Sequence, residues 1–290
     1  MRPLAKGSLR IIATLLIAGF CGVLLVRYSP GFGTDERELN AHLSGESISA
    51  LRVAADTNPA RMYWSWLRAA AHGNFGESES LNTPVATLLS DRFPLTLRSS
   101  LAGLLTAWVA ALLLATISRG FGRRVADWTG TALTEVLLAS PAGLIAVLLF
   151  LFLDGSSLAA AAPAIGIALA VFPHLYRNQR QLLGEAAGRP HVLSAHARGI
   201  RPLRVFLREI LPGAMPPLVA LAGTSVTLAL GAAIPIETIC DSPGIGQLAW
   251  KAATSRDLEL LLPLILAVTA VTLIANFAAD LVIGDRKVAA

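Results

Sequence analysis

The chain has 290 residues, of which 54% are hydrophobic and only 15% charged, and its mean hydropathy is +0.61. Soluble domains carry about 25% charged residues, so this composition argues against a water-soluble fold and for one set in a bilayer. The net charge of +5 could suggest nucleic acid, but the basic residues fall between apolar runs, where membrane topology places them, and no nucleic-acid partner is expected.

In chain order, Arg2, Lys6 and Arg10 precede the apolar run Ile11–Val26. The same pattern describes a signal peptide. However, Arg27-Tyr28-Ser29-Pro30 carries no Ala-x-Ala site and more apolar runs follow, so residues 1–27 are expected to be a retained anchor helix. Residues 28–91 form an expected extracytoplasmic segment, in which Tyr63, Trp64 and Trp66 suit interfacial anchoring better than solute stacking. Further spans are expected at Leu95–Ile117, Leu133–Leu153, Leu158–Tyr176, Met215–Ile236 and Leu260–Ile283, each near the roughly 20 residues that cross a bilayer. Asp154-Gly155-Ser156-Ser157 suits a tight turn between the third and fourth spans. Pro141, Pro163 and Pro173 interrupt apolar stretches, either as kinks that permit gating or as irregularities that neighbouring helices resolve.

The Lys and Arg distribution sets the orientation. With a cytoplasmic N-terminus, fifteen of the 24 basic residues fall inside, seven of them between Arg177 and Arg208, and the exterior is net negative. The expected fold class is therefore an all-α polytopic membrane protein with six transmembrane helices and both termini cytoplasmic. Catalytic chemistry is not signalled. Cys21 and Cys240 form no metal motif or disulfide framework, and His42, His72, His174, His191 and His196 lack metal-protease spacing. There is also no glycine-rich phosphate loop, so no metal or cofactor is expected on this chain and any nucleotide must bind elsewhere.

The basic inside segment, residues 177–212, holds the most informative stretch. Val192, Ala195 and Ala197 precede Gly199, and Leu203, Phe206, Leu207 and Ile210 follow at helical spacing, with Arg201, Arg204 and Arg208 on other faces. A short small-residue helix ending at a glycine can be approached closely by another protein. A helix lying flat on the membrane with its arginines at headgroups fits the periodicity as well. The reading Ala195-His196-Ala197-Arg198-Gly199, followed by Leu211-Pro212, resembles the coupling loop of binding-protein-dependent ABC importer permeases, specifically the dipeptide, oligopeptide and nickel branch. Other segments resemble the same branch in the same order. These are Tyr63-Trp64-x-Trp66-Leu67, Gly73-Asn74-Phe75-Gly76-x-Ser78, Arg92-x-Pro94-x-Thr96-Leu97, Glu237 with Pro243-Gly244-Ile245-Gly246, Arg256-Asp257, and Asn276 with Asp280. The branch's usual Pro-Gly-Asp after the first span is absent, and His196 stands where Arg is common.

This resemblance implies a type I ABC importer permease fold over residues 92–284 and a permease subunit of an ATP-driven importer for peptides or related small solutes, nickel chelates among them. A self-sufficient secondary transporter or channel is the alternative, and an intramembrane enzyme a third reading. The implied partners are a second permease in a heterodimer, two cytoplasmic ATPases that use the ATP, and an extracytoplasmic solute-binding protein, all at a bacterial inner membrane. The implied ATPase-coupling residues are Val192, Ala195, Ala197, Arg198, Gly199, Arg204, Leu211 and Pro212, with Val192–Arg208 acting as one rigid lever. Glu237, Pro243, Gly244 and Gly246 would form a gate or a binding-protein-facing turn, against which stands an ordinary surface turn. Asn276 and Asp280, one helical turn apart, are expected to make an inter-helix hydrogen bond rather than to touch solute.

Overall fold

The computed structural model describes residues 2–28, 58–120 and 123–288. Residues 29–57 of the expected extracytoplasmic segment 28–91 therefore lie outside the described residues. The chain forms two compact units, one of residues 1–92 with 248–271 and the other of residues 93–247 with 272–290.

In the first unit, helix α1 (Arg2–Arg27) packs on α2 (Pro59–Ala71). The N-cap of α2 is Asn58, whose side chain accepts from the Ala60 N–H, and Pro59 occupies the first turn, where a missing N–H costs nothing. Glycines on α1 allow the close approach. A Cβ at Gly19 would stand 2.6 Å from the Tyr63 hydroxyl, and one at Gly22 would stand 2.8 Å from Ile265. Tyr63 is buried with Val23 and Leu262, and its hydroxyl donates to the Leu16 carbonyl at 2.9 Å. Tyr63→Phe removes that bond, while the Leu16 carbonyl keeps its place in the helical ladder, and is expected to lower stability by about 1 kcal/mol, read as the melting midpoint of the detergent-solubilised chain. A two-rung hairpin, β1 (Glu77–Ser78) with β2 (Thr83–Pro84), follows and leads into α3 (Val85–Gly120).

The second unit is built on α3, α4 (Arg123–Ala139), α5 (Ala142–Leu153), α6 (Ala162–Ala187) and α9 (Leu211–Ile239). Helix α3 shows how the sequence suits a bilayer. Ala107, Ala111 and Ala115 recur every four residues and are buried, while Leu101, Leu105, Val109, Leu113 and Ile117 are each at least half exposed. Small residues face the protein and large apolar ones face outward, the reverse of a soluble helix. Gly103 lets α3 reach α6, since a Cβ there would lie 2.6 Å from the Ala164 carbonyl. Across the same core, Gly166 faces Ile236 of α9, and the Tyr176 hydroxyl lies 3.2 Å from Ser118.

Four expected spans are single long apolar helices among the described residues: Val85–Ser118, Ala159–Ala187, Pro202–Ile239 and Leu258–Ile283. The apolar part of α1, Leu9–Leu25, is shorter. The expected span Leu133–Leu153 is not one continuous helix, because α4 and α5 meet at a 99° bend. Pro141 accounts for it: it has no N–H to donate into a helix, it disfavours a helical residue before it, and it is itself extended at φ -63°, ψ 146° as the N-cap of α5. Asp154 to Ser157 do form the turn expected of them, with Gly155 at φ +72°.

Candidate functional site

The coupling candidates lie in α7 (Pro190–Ala197), α8 (Pro202–Val205) and a single π turn, Phe206–Ile210, that runs into α9. Helix α7 ends in a Schellman motif. The Gly199 N–H donates to the His196 carbonyl at 2.9 Å and the Ile200 N–H to the Ala195 carbonyl at 3.3 Å, with Gly199 at φ +71°. The expected lever Val192–Arg208 is thus two helices joined at a glycine corner, because the left-handed residue ends the first. Val192 and Ala195 are fully buried in the same cluster as Leu183, Ala186, Val205, Ile210 and Ala214. Ala197, Arg198, Gly199, Arg204 and Pro212 are exposed and Leu211 half-buried. The apolar stripe expected from 203, 206, 207 and 210 also needs correction. Leu203 and Leu207 are 70% and 52% exposed, whereas Val205 and Ile210 face the core. The π turn adds a residue to one helical turn and rotates the faces, which period counting cannot see. The outer face left over is apolar and basic: Leu193, Leu203 and Leu207 beside Arg198, Arg201, Arg204 and Arg208.

The turn candidates form a second, buried constellation. Glu237, near the end of α9, is 1% exposed. Its Oε2 accepts from Thr96 Oγ1 at 3.0 Å and from the Gly246 N–H at 2.7 Å, while Thr96 Oγ1 accepts from the Ile245 N–H at 2.7 Å. Ile245 and Gly246 open helix α10 (Ile245–Thr254), so Glu237 and Thr96 together satisfy N–H groups that a helix start leaves unpaired. Gly244 and Gly246 are required by closeness. A Cβ at Gly244 would overlap Glu237 Oε2 and Thr96 Oγ1, and one at Gly246 would lie 2.6 Å from the Ala233 carbonyl. Pro243 lies in the turn between α9 and α10, where the Ser242 N–H is held by the Glu237 carbonyl at 2.9 Å. Thr96 was legible only as part of the Arg92-x-Pro94-x-Thr96 motif; its partner lies 141 residues on.

Asn276 and Asp280, on α11 (Leu258–Val288), do not form the expected inter-helix bond. The Asn276 amide donates to the Thr272 carbonyl of its own helix at 2.9 Å, its Oδ1 sits against Gly223, and Asp280 is exposed. Close approach at Gly223 replaces the hydrogen bond as the packing device.

Sequence reasoning missed the role of Asp257. It is 3% exposed and forms the hub of the first unit. Its Oδ2 accepts from Ser78 Oγ at 2.6 Å, Ser80 Oγ at 2.9 Å and the Ser80 N–H at 3.0 Å, and its Oδ1 caps α11 through the Leu260 N–H at 3.0 Å. Burial alone would raise its pKa, but these donors outweigh it and hold the carboxyl below its ordinary value. The Gly76-x-Ser78 and Arg256-Asp257 motifs were each visible, but not their pairing.

Residues 109–284 match the family described as binding-protein-dependent transport system inner membrane component. A Brucella ovis chain bearing the name peptide permease is 29% identical over 283 residues, covering 89% of each chain. A nickel import system permease protein, NikB, of Staphylococcus aureus is 24% identical over 284 residues, covering 94% of this chain and 87% of its own. Among solved structures, a chain of the MetNI methionine ABC transporter in an inward-facing crystal form superposes with a TM-score of 0.54 at 19% identity, covering 68% of this chain and 95% of that one.

Proposed function

Since the chain belongs to the family of binding-protein-dependent transport system inner membrane components, and so is a permease component of an ABC importer, we propose that it carries peptides or related small carboxylated or chelated solutes across a bacterial inner membrane. The relatives named for peptides and for nickel support that solute range. In this reading the chain has six spans with both termini cytoplasmic, an anchor at residues 1–27, an extracytoplasmic segment at 28–91 and the transmembrane domain at 92–284. It pairs with a second, non-identical permease and takes solute from an extracytoplasmic binding protein. Two cytoplasmic ATPases hydrolyse the ATP, and the chain itself binds no cofactor.

The observation that carries the reading is the division of labour in α7. Its inner face, Val192 and Ala195, is locked into the cluster shared with α6 and α9, while Ala197, Arg198 and Gly199 project outward. An ATPase groove that closes on the outer face pushes α7, and the buried anchors pass the displacement to α6 and α9. ATP binding then biases the permease pair toward one of its two states.

The test is substitution at Gly199. No atom lies within 4 Å of a Cβ placed there, so bulk meets only the left-handed backbone cost, about 1–2 kcal/mol, unless a partner docks. Gly199→Ala is expected to keep solute-stimulated ATPase activity in the reconstituted importer. Gly199→Trp is expected to reach the membrane and lose that activity. Normal stimulation in the Trp variant would remove α7 from the coupling path. Purification of the chain from native membranes without any ATPase would favour a self-sufficient transporter.

A further inference from the structure

Beside the 99° bend lies a cavity of about 350 Å³ whose lining includes His174 of α6, Thr227 and Gly231 of α9, and Ser140 and Ala142 at the break itself. His174 and Thr227 sit well inside long apolar helices, and both are exposed on this chain. Several hydroxyls in these helices are satisfied locally, Thr106, Thr116, Thr134, Thr224 and Thr238 each donating to a carbonyl one turn back, whereas Ser100 is buried without a partner. Neither the Thr227 hydroxyl nor the His174 imidazole has a side-chain partner among the described residues. Polar side chains at bilayer depth face lipid only at a cost, and those without a protein partner line an aqueous or ligand-filled space.

The cavity has room to receive something. A Cβ at Gly231 would meet no atom within 4 Å, so this glycine is not there to let two helices touch. No Asp, Glu, Lys or Arg lines the space, so a cationic group would find no counter-charge. Its free polar groups are an imidazole and a hydroxyl, both able to donate, and the first turn of α5 borders it through Ala142 without any side-chain cap. Ser140 already donates to the Val136 carbonyl at 2.8 Å and keeps only acceptor capacity.

We propose that this cavity is a solute-binding station on the transport path, with His174 and Thr227 donating to a carboxylate of the passing solute. The assignment rests on the permease reading above and deepens it. Charge-assisted donation to a carboxylate is the strongest interaction this set of groups can offer. A peptide C-terminus and a nickel–carboxylate chelate share that chemistry.

The experiment uses the assembled importer in inverted-free, right-side-out proteoliposomes loaded with ATP, with radiolabelled trialanine, trialanine amide and nickel citrate as probes. Wild type is expected to accumulate trialanine or nickel citrate, which identifies the source of the carboxylate. His174→Leu and Gly231→Phe are expected to lower that uptake at least tenfold while retaining the ATPase on purification, and His174→Gln, which keeps an N–H donor, to stay within about threefold of wild type. If trialanine is the solute, its advantage over the amide shrinks in His174→Leu, which separates this site from any preference of the binding protein. Unchanged uptake in His174→Leu, loss of the ATPase from that variant, or ATP-driven uptake of neither carboxylate probe by wild type overturns the proposal. A separate readout does not depend on transport. In a Cys21→Ser, Cys240→Ser background, Thr227→Cys is expected to react with a charged thiol reagent, and no reaction there also overturns it. Absence of any ATPase partner with Thr227→Cys still reactive would instead defeat the importer reading alone.

Discussion

Replacing Asp257 by alanine is expected to destabilise the first unit by about 3 kcal/mol or more, the largest single loss outside the apolar core. The substitution removes the acceptor for Ser78 Oγ, Ser80 Oγ and the Ser80 N–H, and Ser78 is fully buried, so its hydroxyl cannot turn to water. It also uncaps α11 at its third N–H, that of Leu260. The backbone just before it is committed as well. Arg256 holds φ +55° at the end of α10, with the Asp257 N–H donating to the Ala252 carbonyl at 3.0 Å, so the corner between α10 and α11 is already strained and relies on the side-chain bonds. Asp257→Asn keeps the cap through its carbonyl oxygen but places an N–H₂ group among three donors, so it is expected to lose more than half of the same stability. The pH dependence follows from the direction of the shift. The charged form is favoured in the folded chain, so its contribution is complete above the ordinary carboxylate value of 3.8 and fades as pH falls through the lowered folded value. Melting midpoints of wild type are therefore expected to drop below about pH 4 more steeply than those of Asp257→Asn. Parallel profiles would mean that the Ser78–Ser80 loop is held by something else.

The parts of this molecule that sequence reveals are those whose signal is local. A bilayer-spanning helix announces itself through continuous apolarity, and Leu95–Ile117 and Leu260–Ile283 lie inside the long helices Val85–Ser118 and Leu258–Ile283. Gly199 was legible for the same reason, since a glycine after a short run of small residues can hold the left-handed corner that ends a helix. The bend at Ser140–Pro141 was hidden although its cause was in view. Residues 133–153 stay apolar on both sides, and a hydropathy window averages across the break. The π turn at Phe206–Ile210 has no composition of its own and shifts the face that a 3.6-residue period assigns.

The constellations were legible only in halves. Thr96 with Glu237 and Ser78 with Asp257 are separated by 141 and 179 residues, and each half resembles ordinary turn or cap chemistry in isolation. Folding gives both pairs the same form: a buried carboxyl on one segment satisfies N–H and O–H groups of another that water cannot reach. This explains why small residues and hydroxyls surround each acid. Ser78 and Ser80 surround Asp257, and Thr96, Gly244 and Gly246 surround Glu237, because larger side chains would displace the donors.

Gly244→Val is expected to abolish transport, lowering ATP-driven uptake more than tenfold, and the reason separates a locked turn from an ordinary surface one. Turn glycines are commonly required for a positive φ, but Gly244 is not among the left-handed residues of this chain. Its constraint is space alone, since its Cα faces Glu237 Oε2 and Thr96 Oγ1 so closely that a single added carbon overlaps both. Valine therefore breaks the bonds that tie the start of α10 to the end of α9, leaving Glu237 Oε2 buried without its donors. An exposed turn would accept even Gly244→Ala with little change. In the locked arrangement, Gly244→Ala costs about 1–3 kcal/mol by overpacking. That cost is coupled to its neighbour, because removing the clashing carboxyl makes room for the methyl group. In Glu237→Ala the further substitution Gly244→Ala is expected to cost at least 1 kcal/mol less than it does in wild type, a difference a double-mutant cycle on melting midpoints resolves. Additive costs would show that Gly244 and Glu237 do not meet. Full uptake by Gly244→Val would show that the turn can open without consequence for transport.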